Sequence, residues 1–226
     1  PRSTLFPYTT VVRSGARAAG YKVQKIPHGT VAYPWYASPS LKTDRRMAVY
    51  TPAGYGDSKQ RYPVLYLLHG MGGDETAWLT LGRAAEILDH LIATGKAKPM
   101  IVVMPNGNVA KSAAPGYTSD NLEPIEFVLP HTMDGVFEAS FPDIQKYVEA
   151  HYRTINDKAH RAIAGLSMGG FHSLYISVNN PGTFDYVGLF SPAILPRTDT
   201  CGNFYGSRDQ KLLGLKKSAV KDYWIG

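Results

Sequence analysis

The residue in this sequence best placed to do chemistry is a serine held between glycines. In Arg161-Ala162-Ile163-Ala164-Gly165-Leu166-Ser167-Met168-Gly169-Gly170-Phe171-His172, a short apolar run ends in Gly-x-Ser-x-Gly and continues with residues a helix accepts. Strand, tight turn, helix is the setting that lifts a serine hydroxyl above a sheet edge and makes it a nucleophile. The reaction it serves is acyl transfer, in which the hydroxyl attacks a carbonyl carbon and the carbonyl oxygen becomes an oxyanion. The turn is too tight for side chains at Gly165 and Gly169. The peptide N–H of Met168 then points to where the oxyanion forms.

A serine hydroxyl is a poor nucleophile near neutral pH. It needs a histidine to take its proton, a carboxylate to hold that histidine in the right tautomer, and a second oxyanion donor. The Gly-rich segment His69-Gly70-Met71-Gly72-Gly73 directly follows an apolar run and fits the donor role, most simply through the backbone N–H of Met71. An ordinary turn is the alternative reading. In hydrolases built on this elbow the acid and histidine follow the serine in chain order. Here the only later histidine is His172, five residues on, which reads as a packed or pocket-edge side chain. His131 precedes the serine, in a polar loop. Asp185, Asp199, Asp209 and Asp222 follow it, but none sits on a loop just after a visible core strand. The expectation is a triad whose acid and base are not present in this chain.

The elements that must position these groups are legible from His28 onward. Val31 to Tyr36 and Arg46 to Tyr50 have strand-like β-branched and aromatic content, and a Pro/Gly-rich turn follows from Thr51 to Ser58. Pro63 to Leu68 and Met100 to Met104 are near-continuous apolar runs, as expected of strands buried on both faces. Ala84, Leu88, Leu91 and Ile92 recur at helical spacing before Gly95, and Phe137, Phe141, Ile144, Val148 and Tyr152 form a second stripe. Val109 to Gly135 is a polar loop too long to be mere connection. With the elbow, its helix and Tyr186 to Phe190, the alternation predicts an α/β fold: a mostly parallel sheet with helices on both faces. Asp222 to Gly226 reads as a strand just starting where the chain stops.

Composition removes other classes. The chain has 226 residues and a net charge of +6, but residues 1–26 hold five basic side chains and no acid, so the remainder is +1. The basic character belongs to a tail, whereas nucleic acid binding needs a clustered face. No Cys/His pair has zinc-ligand spacing, so neither metal nor cofactor is expected. The single cysteine, Cys201, cannot form an internal disulfide. No apolar run is long enough to span a bilayer, and no signal-peptide layout is visible at the N-terminus. Residues 1–16 look foreign to the rest, adapter-derived or a linker. The expected division is a non-domain segment 1–26 and one domain, 27–226.

The series Arg46-Met47-Ala48-Val49-Tyr50-Thr51-Pro52-Ala53-Gly54-Tyr55, Tyr62 to Gly73, Met100 to Asn108 and Ala164 to Gly170 resembles the esterase D-like branch of the α/β-hydrolases. Within it, the sequence is similar to feruloyl and acetylxylan esterases of bacterial plant-polysaccharide degraders, the carbohydrate esterase family one type. The resemblance implies an α/β-hydrolase fold lacking its last strand and helix, with Ser167 as nucleophile and Met71 and Met168 as oxyanion donors. Gly70, Trp78 and His172 are candidate substrate contacts; Trp78 could equally be a buried helix-start residue. In such enzymes the catalytic aspartate closely follows the strand resembling Asp222 to Gly226 and the histidine comes a few dozen residues later. The implied activity is removal of feruloyl or acetyl groups from plant cell-wall polysaccharide by a secreted or periplasmic enzyme, impaired in this fragment. Alternatives are an S-formylglutathione hydrolase-like or acyltransferase-like relative, and a non-catalytic carbohydrate-binding one.

Overall fold

The computed structural model describes residues 20–118, 132–194, 208–217 and 220–226. Most of segment 1–26, His131, Asp199 and Cys201 lie outside the described residues. The expected Val31 to Tyr36 strand is broken, because Pro34 has no N–H to give a ladder. It becomes β1 (Thr30–Ala32) and β2 (Trp35–Ser38), and both pair antiparallel with β3 (Thr43–Thr51). The Pro34 carbonyl, still an acceptor, takes the Met47 N–H between them.

β4 (Val64–Leu68) and β5 (Ile101–Pro105) arise from the two apolar runs, and all of β5 is buried. They join β6 (Arg161–Leu166), β7 (Tyr186–Phe190) and β8 (Asp222–Ile225) in one sheet of order β1-β3-β5-β4-β6-β7-β8, with β2 also on β3. From β5 to β8 every pairing is parallel. The terminal Asp222 stretch is therefore a formed strand whose residues Asp222 to Ile225 register against Tyr186 to Leu189.

Side chains alternate across the sheet, so Met47 and Val49 face one layer and Ala48 and Tyr50 the other. On the Ala48 side lie α1 (Ala77–Thr80) and α2 (Ala84–Ala93), whose Leu88 and Ile92 pack on it. On the Met47 side lie α3 (Val136–His151) and α4 (Met168–Asn179). Phe137, Phe141, Ile144 and Val148 are buried as their spacing predicts, whereas Tyr152 falls just past the end of α3 in extended conformation. α4 is buried along its whole course to Ser177, so it is a core helix under the sheet. A further helix, α5 (Arg208–Lys217), carries no apolar stripe and was not legible beforehand.

Candidate active site

Ser167 sits between β6 and α4 with φ 53° and ψ −110°, a left-handed backbone that costs a residue with a Cβ about 1–3 kcal/mol. Three hydrogen bonds hold it there. Its N–H donates to the Phe190 carbonyl at 2.8 Å, while its carbonyl accepts from Phe171 at 3.0 Å and Ala193 at 2.9 Å. A Cβ on Gly165 would fall on the Gly169 carbonyl, and one on Gly169 would lie 2.7 Å from the His69 carbonyl oxygen and nearer still to that of Leu68. The glycines therefore let α4 start directly against the end of β4. Met168, the first residue of α4, is buried at 2 % exposure and contributes a free helix N-terminal amide beside the serine.

The segment after β4 crosses over the elbow. A Cβ on Gly70 would lie 3.4 Å from the Leu166 carbonyl oxygen and 3.7 Å from the Ser167 Cβ. His69 fixes the orientation of this loop. Gly107 donates its N–H to His69 Nε2 at 2.8 Å, so the imidazole proton is on Nδ1 and donates to the Gly70 carbonyl at 2.7 Å. The Gly73 N–H reaches that carbonyl too, at 3.1 Å. The Gly70–Met71 peptide is trans. With its carbonyl tied down toward His69, its N–H, that of Met71, points the opposite way. Burial pushes the His69 pKa down to about 4, so the ring is neutral in its donor–acceptor role at ordinary pH.

A pocket of about 350 Å³ opens beside the elbow, walled by Met71, Trp78, Leu81 and Leu166, with His69 and Gly70 at its edge. Gly70 and Trp78 thus both line the cavity. Trp78 is half-buried and meets Phe190 edge-on at 6.3 Å between ring centres.

Of the two places expected for it, packed or at the pocket edge, His172 takes the packed one, and it does not line the pocket as a candidate substrate contact would. It is wholly buried, with Nδ1 2.6 Å from Glu138 Oε1 on α3 and its ring between Phe137 and Phe171. The reason is the helix that carries it: α4 is covered on all sides, so a residue one turn past the serine faces α3. Its Nε2 has no hydrogen-bond partner among the described residues. It points toward Gly107, where an added Cβ would lie 3.5 Å from it and 3.4 Å from His69 Nε2. Neither histidine takes a hydrogen bond from the Ser167 hydroxyl. Among the described residues no group of three His, Cys, Asp or Glu side chains is assembled as a metal site.

Sequence reasoning missed two buried polar pairs at this end of the sheet. One is the hydrogen-bonded contact of Glu138 with His172. The other is the ion pair of Arg46 with Glu75, 2.6 Å apart, at 3 % and 0 % exposure. Glu75 also accepts from Asn106 Nδ2 at 3.0 Å and from the Ala114 N–H at 2.8 Å. The available signal was an ionisable residue inside an apolar pattern: Glu138 on the same face as Phe141, and Arg46 leading the Met47 to Tyr50 strand.

Residues 38–224 match a family model described as "Putative esterase". Over 173 residues, 74% of this chain, the sequence is 39% identical to an endo-1,4-beta-xylanase/feruloyl esterase of Xylanibacter ruminicola. It is 29% identical over 159 residues to endo-1,4-beta-xylanase Y of Acetivibrio thermocellus. The matched segment spans 22% and 13% of those two proteins. Among solved structures, a ferulic acid esterase of Anaeromyces mucronatus in complex with ferulic acid is similar at TM-score 0.66 and 25% identity. That similarity covers 91% of this chain and 85% of the esterase.

Proposed function

For a chain that belongs to the esterase family whose model it matches, we propose the activity of a serine carboxylic-ester hydrolase that removes feruloyl or acetyl groups from plant cell-wall polysaccharide. The observation that carries the reading is the strained Ser167 placed against Gly70, which with Met71 and Leu166 lines an apolar pocket. A relative whose name joins xylanase and feruloyl esterase, and a fold neighbour with ferulic acid bound, support the substrate class.

In this mechanism the Ser167 Oγ attacks the ester carbonyl carbon and its proton passes to a general base. The oxyanion is held by the N–H groups of Met168 and Met71, and the C–O bond to the sugar breaks as the base returns the proton to the leaving hydroxyl. Water then cleaves the acyl-Ser167 bond, releasing the carboxylic acid. The pocket with Trp78 and Leu81 takes the acyl group, whose aromatic ring suits an apolar cavity of this size. We assign the base and its carboxylate to positions outside the described residues, since His69 is spent on the Gly70 carbonyl and His172 on Glu138. Export to the medium or periplasm follows from the substrate, an extracellular polymer.

The test is turnover of methyl ferulate and p-nitrophenyl acetate by the protein expressed from its native gene. Turnover lost in Ser167→Ala supports the assignment. If the protein is inert toward both esters, the feruloyl and acetyl reading fails.

A further inference from the structure

Two exposed tyrosine rings gather on one buried cation beside the oxyanion loop, and an exposed tryptophan stands across from that cation in the sheet. The Tyr117 ring, 60% exposed, lies 3.3 Å from the Arg46 guanidinium carbon, and the Tyr33 ring, 42% exposed, lies 4.9 Å from it. Trp35, also 42% exposed, is directly opposite Arg46 in the β2–β3 register, so its side chain leaves the same face. Exposed aromatic residues scattered singly need no explanation, but a contiguous patch does. None of these four residues lines the apolar pocket.

The base of the patch says what could rest on it. Arg46 is almost fully buried and its charge is met by Glu75, itself fixed by Asn106 and Ala114. An anion would therefore find no net positive charge there. What is offered is flat π surface, with the Tyr117 and Tyr33 rings held from beneath by the guanidinium. A neutral ring with apolar C–H faces fits it, because its C–H face meets the negative face of the aromatic rings.

Its position ties the patch to the reaction. Glu75 follows two residues after Gly73, and Asn106 precedes Gly107, whose N–H holds His69. The same hydrogen-bonded frame thus supports the Met71 peptide and the aromatic patch. We propose that Tyr33, Trp35 and Tyr117 form a saccharide-binding platform for the sugar on the alcohol side of the ester, distinct from the acyl pocket at Trp78. This rests on the esterase reading, and it names the residues that hold the polysaccharide.

Xylohexaose carries no ester, so its binding does not depend on Ser167 chemistry. Titration of the chain with xylohexaose, followed by tryptophan fluorescence and calorimetry, should give saturable binding that ferulate does not displace. Tyr117→Ala and Trp35→Ala should each weaken it at least tenfold, and Tyr117→Phe, which keeps the ring, should preserve it. Thermal melts of the variants separate lost binding from lost folding. No binding, binding unchanged in both alanine variants, or competition by ferulate would each overturn the platform. An inert esterase that still binds xylohexaose in this pattern would sink the ester substrate and leave the platform standing.

Discussion

His69 is the residue that orients the Gly70–Met71 peptide, whose N–H we propose as an oxyanion donor. Loss of one oxyanion donor costs on the order of 100-fold or more in kcat. His69→Ala, which leaves the Gly70 carbonyl only its hydrogen bond from Gly73, is therefore expected to lower kcat for methyl ferulate by up to about that factor with little change in KM. An effect on KM alone would place His69 in binding. The same residue sets a pH dependence. Its folded pKa, about 4, lies below the ordinary histidine value of 6.5. Its contribution to stability is thus intact above about pH 6.5 and falls as pH drops toward 4, by about 3 kcal/mol across that window. Urea titrations at several pH values should show this decline in the parent and a flatter profile in His69→Gln; parallel profiles would remove His69 as the cause.

At the scale of elements, the N-terminal approach to β1 is clipped to α2. Asp89 on α2, 6% exposed, accepts from the Gly29 N–H, the Tyr50 hydroxyl and His28 Nδ1, each at 2.8 Å. The hydrogen bond that His28 donates to Asp89 raises the His28 pKa above 6.5. Protonated His28 then favours the fold below about pH 6.5, and the effect is lost as pH rises through the raised value. His28→Ala should lower Tm near pH 5.5 and leave it unchanged near pH 9 by scanning fluorimetry; an equal loss at both would make the contact one of packing. The elements themselves were legible where burial is uniform. β4, β5 and the elbow announce themselves because strands covered on both faces need unbroken apolar runs, and α3 because its stripe has one period. Gly70 and Trp78 were found at the cavity because the loop after β4 is short and local. The buried polar pairs were not legible, since Glu138 and His172, like Arg46 and Glu75, meet only through tertiary pairing. The split at Pro34 and the fate of His172 required knowing which strand lies alongside and that α4 is covered all round.

Over the whole molecule, two segments far apart in the chain share the site. β4 is flanked by β5 and β6, and its last residue, Leu68, registers against Gly165. The Met71 peptide and Ser167 are therefore neighbours only because of that one parallel pairing. The net charge contributes nothing to this arrangement, being concentrated in the first 26 residues. The β4–β6 pairing has a kinetic consequence. Nearly a hundred residues must be closed into a loop before it forms, and non-local parallel pairing is slow relative to helix formation. Ser167 and the loop after β4 should thus be among the last parts of the domain to come together. On dilution from urea, Trp78 fluorescence is expected to recover in a slower phase than far-UV ellipticity; a single shared phase would mean that the sheet and helices condense together. If the phases separate, a chain emerging from the ribosome carries its serine exposed and unsupported until the loop finds it.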